Sequence, residues 1–154
     1  MIMLQLNEKA IPFTLKNQHD EMISLDDFKG KKVILYFYPK DLTSGCTTQA
    51  CSFQDHYQEF IDQNAVIIGI SKDSVKSHAK FAEKYGLSFQ LLSDESLEVI
   101  QAYDVWKEKK LYGKSYMGIV RTTFVFNEDH ECIAIYPKAS PKNNAQQILS
   151  LLMD

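Results

Sequence analysis

Two apolar runs, Val33-Ile-Leu-Tyr-Phe-Tyr38 and Ala65-Val-Ile-Ile-Gly-Ile70, flank a stretch of helical periodicity, and that arrangement limits what the chain can become. Continuous apolar runs of this length read as strands buried on both faces of a sheet. The first covers residues 32–38 and is ended by Pro39. Helical spacing follows from about Gly45 to Asn64, with Phe53, Tyr57, Phe60 and Ile61 on one side, before the second run begins. The segment reads as a βαβ unit, and the fold class is α/β.

The flanking segments extend this pattern. Residues 13–15 and 22–24 are short alternating runs separated by Asn17-Gln-His-Asp20, an N-terminal β-hairpin by composition, and residues 24–30 read as one capped turn. Ser74 can cap a helix whose apolar positions include Val75, Ala79, Phe81 and Ala82, with Gly86 where a stop is wanted. A short strand is expected over 89–92 and a brief helix through Tyr103. Strands over 119–126 and 132–136 flank the turn-forming Asn127-Glu-Asp-His130, and Ser140-Pro141 starts a last helix with Ala145, Ile148, Leu149 and Leu152 on one face. With no repeat, low-complexity segment or linker, residues 1–154 are expected to form one domain.

At 154 residues the chain removes about two-thirds of its unfolded surface from water without disulfide or metal staples. It has three cysteines and no signal-peptide pattern, which fits a reducing cytoplasm. No stretch approaches the roughly 20 apolar residues of a membrane span. A net charge of −3 gives no global attraction to phosphate backbones, so neither membrane nor nucleic acid is an expected partner. Lys107, Lys109, Lys110 and Lys114, interleaved with Trp106, Tyr112 and Tyr116, read as a solvated loop.

Cys46 and Cys51 stand in Pro39-Lys-Asp-Leu-Thr43-Ser-Gly45-Cys46-Thr-Thr-Gln-Ala-Cys51, after the first strand and at the start of the helix. Unpaired N–H groups and the positive end of the helix dipole stabilise an anion there, so a cysteine in the first turn tends towards thiolate chemistry. On one helix, five residues separate the two Cα atoms by about 8.7 Å. A disulfide tolerates at most about 7 Å, so pairing would require the first turns to unravel. Gly45 allows close approach of the backbone, and the Thr43 hydroxyl can accept a helix N–H or donate to an anion. Arg121, in the apolar stretch 118–124, reads equally as a buried cation or as a strand-edge residue facing water.

The stretch Pro39-x-x-x-Thr43-x-x-Cys46 resembles the active-site signature of peroxiredoxins, and Cys51 at this offset resembles the resolving cysteine of the bacterioferritin comigratory protein, or peroxiredoxin Q, subgroup. Further similarity runs through residues 13–15, 33–39, 69–71, 81–85, 92–94, 105–106 and 118–124. The resemblance implies a thioredoxin-like fold, with a central mixed sheet flanked by helices, and a thiol-dependent peroxidase. Cys46 would be the peroxidatic nucleophile and Cys51 the resolving cysteine. Thr43, Arg121 and the Cys46 N–H would contact the peroxide oxygens while Pro39 shields the pocket. It further implies reduction of hydrogen peroxide and organic hydroperoxides through a sulfenic acid and a Cys46–Cys51 disulfide, recycling by thioredoxin or a glutaredoxin, and a role in antioxidant defence and redox homeostasis. Ser44 departs from the pattern, because the subgroup usually carries proline there.

The other thiol and the histidines read as structural. Cys132, beside Ile133 and Ala134 in its strand, behaves as a small hydrophobe. No second pair with ligand spacing occurs among His19, His56, His78 and His130, which read as solvated or turn residues, so neither metal nor cofactor is expected. Two other classes are a general thiol–disulfide oxidoreductase, which the absence of Cys-x-x-Cys disfavours, and a peroxide-responsive redox sensor. A monomer or weak dimer is expected.

Overall fold

In the computed structural model, which describes residues 3–154, an antiparallel hairpin of Thr14–Lys16 (β1) and Met22–Ser24 (β2) leads into a 3-10 turn over Leu25–Phe28. Asp27 Oδ2 closes that turn by accepting from Ser24 N–H at 2.8 Å. The apolar runs are the strands Lys32–Phe37 (β3) and Ala65–Ser71 (β4), paired in parallel with Val33 opposite Val66. Between them stand the helices Ser44–Asp55 (α1) and Tyr57–Asp62 (α2). The helix expected over 45–64 is therefore two. At the break, His56 N–H bonds to Phe53 O, only three residues back, and the His56 ring Nδ1 lies 2.8 Å from Glu59 Oε1.

Val75–Tyr85 (α3) is capped by Ser74, whose hydroxyl accepts from Ser77 N–H, and is stopped at Gly86, whose φ of 63° suits glycine. Gln90–Ser93 (β5) and the short helix Glu98–Ala102 (α4) follow. The run expected as one strand from 119 to 126 is interrupted. Lys114–Ile119 (β7) pairs with Trp106–Leu111 (β6) in a separate ribbon, whereas Thr122–Phe126 (β8) enters the main sheet. Val120 and Arg121 form the joint where the chain changes sheets.

The lysine-rich segment expected as a solvated loop is thus a hairpin. Tyr112 and Gly113 both have positive φ, 52° and 78°, as a two-residue turn of this hand requires. Cys132–Pro137 (β9) completes the sheet, and the last helix, Asn144–Met153 (α5), starts three residues beyond Pro141.

The sheet order is β2-β1-β5-β4-β3-β8-β9, with β3, β4 and β5 parallel and the others antiparallel to their neighbours. Alternation along β3 sorts the core into two layers. Val33, Leu35 and Phe37 pack with Ile68, Ile70, Ile100, Tyr103 and Phe124 on one face. Ile34, Tyr36 and Tyr38 pack with Phe53, Phe60, Phe81 and Ile148 on the other. Each fully buried side chain of this size contributes about 1.5–3 kcal/mol. Cys46 belongs to the second layer, where α1 lies beside α5.

Candidate active site

Cys46 is the third residue of α1 and is 2% exposed. The first intrahelical bond runs from Thr47 N–H to Thr43 O at 2.9 Å, so the amides of Ser44, Gly45 and Cys46 precede the helical ladder. Arg121 is held at the joint before β8, where its carbonyl accepts from Ala139 N–H at 2.9 Å. Its guanidinium forks across the first two turns of α1. Nη2 donates to Cys46 Sγ at 3.3 Å and Nη1 donates to Gln49 Oε1 at 2.7 Å. Of the two readings of Arg121, the structure is nearer the buried cation: the residue is half-buried and its guanidinium turns to the Cys46 sulfur. The planar fork is what a lysine could not supply.

Gly45 makes this approach possible. A Cβ built there would lie 3.1 Å from Arg121 Nη2. Thr43 occupies the N-cap position with φ −83° and ψ 156°, but its side chain does not cap the helix. The hydroxyl instead donates to Lys40 O at 2.8 Å, which corrects the capping role expected for it and leaves the oxygen lone pairs as acceptors. Pro39 is half-buried at the start of the same loop. Leu42, within the loop, has φ 64°, a left-handed conformation that costs a leucine roughly 1–2 kcal/mol.

Cys51 lies on the same unbroken helix as Cys46, and all three cysteines are free. Its thiol is half-buried beside a surface hollow lined by Thr47, Thr48, Ser52, Asp55 and Lys142. Burial, and then the Asp55 carboxylate, push the Cys51 thiol up. Cys132 sits in the other core layer, its Sγ 3.5 Å from Ala134 O, so it has no part in this site.

Three neighbours were not anticipated from sequence. Gln49 is fully buried; its oxygen serves Arg121, while Nε2 has no partner among the described residues. Tyr36 is likewise buried with an unpartnered hydroxyl, and burial, reinforced by Cys46 and Asp41, raises its phenol well above the ordinary range. Lys109 reaches in from β6, where burial and then the Arg121 charge lower its ammonium from the usual lysine range, against the pull of Cys46. Only Gln49 carried a sequence signal, its three-residue offset from Cys46 on a helix.

The reading of all four histidines as solvated or turn residues is corrected at His78, which is fully buried on α3 and bonded to Asp41. Asp41, Asp73 and His78 place potential ligand atoms within 4.8 Å of one another. Those atoms already bond to each other and to Tyr38, Ser71, Ser77 and Leu92, which leaves no open ligand position.

The AhpC/TSA family matches residues 6–135 of this chain. Peroxiredoxin Bcp of Bacillus subtilis (strain 168) is 45% identical over 151 residues, covering 98% of this chain and 96% of that protein. A cysteine-to-serine variant of PrxQ from Xylella fastidiosa superposes with a TM-score of 0.93 at 30% identity, covering 99% of this chain and 98% of its own. The bacterioferritin comigratory protein of Xanthomonas campestris, solved with a trapped intermediate and ligand in relation to its alkyl peroxide reduction activity, gives 0.86 at 36% identity. Coverage there is 92% and 90%.

Proposed function

Because this chain belongs to the AhpC/TSA family and is a thiol-dependent peroxidase of the Bcp and PrxQ type, we propose that Cys46 is the sulfur that attacks the peroxide and Cys51 the sulfur that resolves it. The observation that carries this assignment is the 3.3 Å contact between Arg121 Nη2 and Cys46 Sγ at the start of α1. The guanidinium donates directly to the sulfur, and its remaining donors can hold oxygen.

The thiolate attacks one peroxide oxygen, an S–O bond forms, the O–O bond breaks, and the electron pair leaves on the second oxygen. That oxygen takes up a proton and departs as water or an alcohol, and Cys46 becomes a sulfenic acid. Arg121 and the Cys46 backbone N–H meet the charge as it develops, a stabilisation greater in the transition state than in the ground state. The Thr43 oxygen, with its own proton committed to Lys40 O, accepts from the hydroperoxide O–H. Pro39 walls the pocket.

Cys51 sulfur then displaces hydroxide from the Cys46 sulfenic acid, so that an S–S bond forms and water is lost. With both residues on one intact helix and their Cα atoms about 8.7 Å apart, the first turns of α1 unwind for this step. A dithiol of the thioredoxin type returns both thiols by exchange. Residues 1–154 act as one domain, a monomer or weak dimer, in the cytoplasm. No helix among the described residues is long and apolar enough to cross a membrane.

Intact mass and peptide mapping after one equivalent of hydrogen peroxide test the assignment. The expected product is a Cys46–Cys51 bridge that thioredoxin reduces. Cys46→Ser abolishes peroxide consumption, and Cys51→Ser allows one oxidation event but little cycling. Undiminished turnover in Cys46→Ser overturns the assignment.

A further inference from the structure

Beneath the loop that joins β3 to α1 lies a buried polar cluster that the peroxide chemistry does not use. Asp41 accepts on Oδ1 from the Tyr38 hydroxyl at 2.5 Å and on Oδ2 from Ser77 Oγ at 2.8 Å, and Oδ2 lies 2.6 Å from His78 Nδ1. His78 Nε2 lies 3.0 Å from Leu92 O, a carbonyl that can only accept, so that nitrogen carries a proton. The Asp41 backbone N–H donates to Asp73 Oδ2 at 2.9 Å, and the Ser71 hydroxyl holds the same oxygen at 2.6 Å. One loop residue is thus tied to the ends of β4 and β5 and to α3. The next residue, Leu42, sits in the left-handed conformation, and α1 begins two residues later. A loop strained in itself keeps its shape only when its surroundings over-determine it.

We propose that Asp41 and His78 are positioning residues for peroxide capture, their buried pair clasping the β3–α1 loop in the shape that holds Cys46 beneath Arg121. This rests on the assignment of Cys46 and Cys51 above. Capture needs the folded first turns of α1, whereas bridge formation needs them unwound. The clasp forms only with the loop seated, so it stabilises the capturing conformation and adds nothing to the bridging one. Weakening it shifts the population towards the unwound state by the clasp's differential free energy. The rate of Cys46 oxidation falls, and the rate at which the sulfenic acid closes on Cys51 holds or rises. A general loss of stability would not produce that split.

Rapid-quench alkylation with mass analysis separates the two steps in the full-length protein. Asp41→Ala is expected to slow Cys46 oxidation by hydrogen peroxide about tenfold or more, and Ser77→Ala, which removes one of the bonds to Asp41, roughly threefold. Neither slows bridge formation. Asp41→Asn retains most of the capture rate, because its amide can donate to His78 Nδ1 and Ser77 Oγ while its carbonyl still accepts from Tyr38. Capture within about twofold of the parent in the alanine variants overturns the proposal, as does an equal slowing of both steps. If Asp41→Ala does not fold, Ser77→Ala decides by the same criteria. Failure of the unsubstituted protein to form a Cys46–Cys51 bridge instead removes the underlying assignment.

Discussion

Replacing Arg121 isolates the electrostatic part of peroxide capture. Its Nη2 lies 3.3 Å from Cys46 Sγ. Two unit charges at that distance attract by about 5 kcal/mol at an effective dielectric constant near 20. The guanidinium is only partly buried, so water reduces the realised value. Deleting one donor aimed at developing negative charge commonly lowers a rate by about 10²–10³, or roughly 2.7–4 kcal/mol, which fits that discounted figure. Arg121→Met is therefore expected to lower the second-order rate constant for Cys46 oxidation about 100- to 1000-fold, with folding checked by melting temperature. Arg121→Lys keeps a positive charge but loses the fork that also reaches Gln49 Oε1 at 2.7 Å, so it falls between. Stopped-flow mixing with excess hydrogen peroxide reads the rate directly. A Met variant within about threefold of the parent refutes the electrostatic argument, and equal rates for Met and Lys refute the role of charge.

Ser44 is the first residue of α1 and follows Thr43 at φ −83° and ψ 156°, a conformation that tolerates a following proline. Ser44→Pro should steady the first turn by about 0.4–1 kcal/mol and slow Cys46–Cys51 bridging about two- to fivefold, while leaving capture unchanged; identical amide exchange over residues 44–54 in the two proteins counts against this. Burial and Asp55 both disfavour the Cys51 thiolate, so in a Cys46→Ser background its alkylation by iodoacetamide should be slow at neutral pH and still climbing above pH ~9. A plateau below pH ~8 contradicts that sign, and Asp55→Asn should speed the reaction at any fixed pH below it. Gly69 faces Tyr36 across the β3–β4 pair, and a Cβ there would meet Tyr36 Cζ at 2.9 Å. Gly69→Ala should therefore cost about 1–3 kcal/mol in urea unfolding, and an unchanged midpoint would show that the ring has room to move.

Much of this arrangement was legible in the chain because local rules and tertiary packing agree there. The apolar runs at 33–38 and 65–70 became β3 and β4, and Ser74 and Gly86 bound α3. The reading failed where a decision depends on partners distant in sequence. Nothing local marks Val120 and Arg121 as a joint, because the residues on either side have equal strand character and only the choice of sheet divides them. The β6–β7 ribbon was missed because its lysines dilute the alternation and its turn is Tyr-Gly rather than Asn-Gly. His78 looked solvated because its partner, Asp41, stands 37 positions earlier. At the site, the motif around Cys46 singles out one sulfur as the candidate, but whether Arg121 faces water or that sulfur is undecidable without the fold.

The two-layered core gives the catalytic cycle a bulkhead. α1 supplies Cys46, Ala50 and Phe53 to one side of the sheet and no residue to the other, where Val33, Leu35, Phe37, Tyr103 and Phe124 are packed. Unwinding of α1 for the proposed Cys46–Cys51 bridge therefore removes packing from one side of the sheet and takes no side chain from the other.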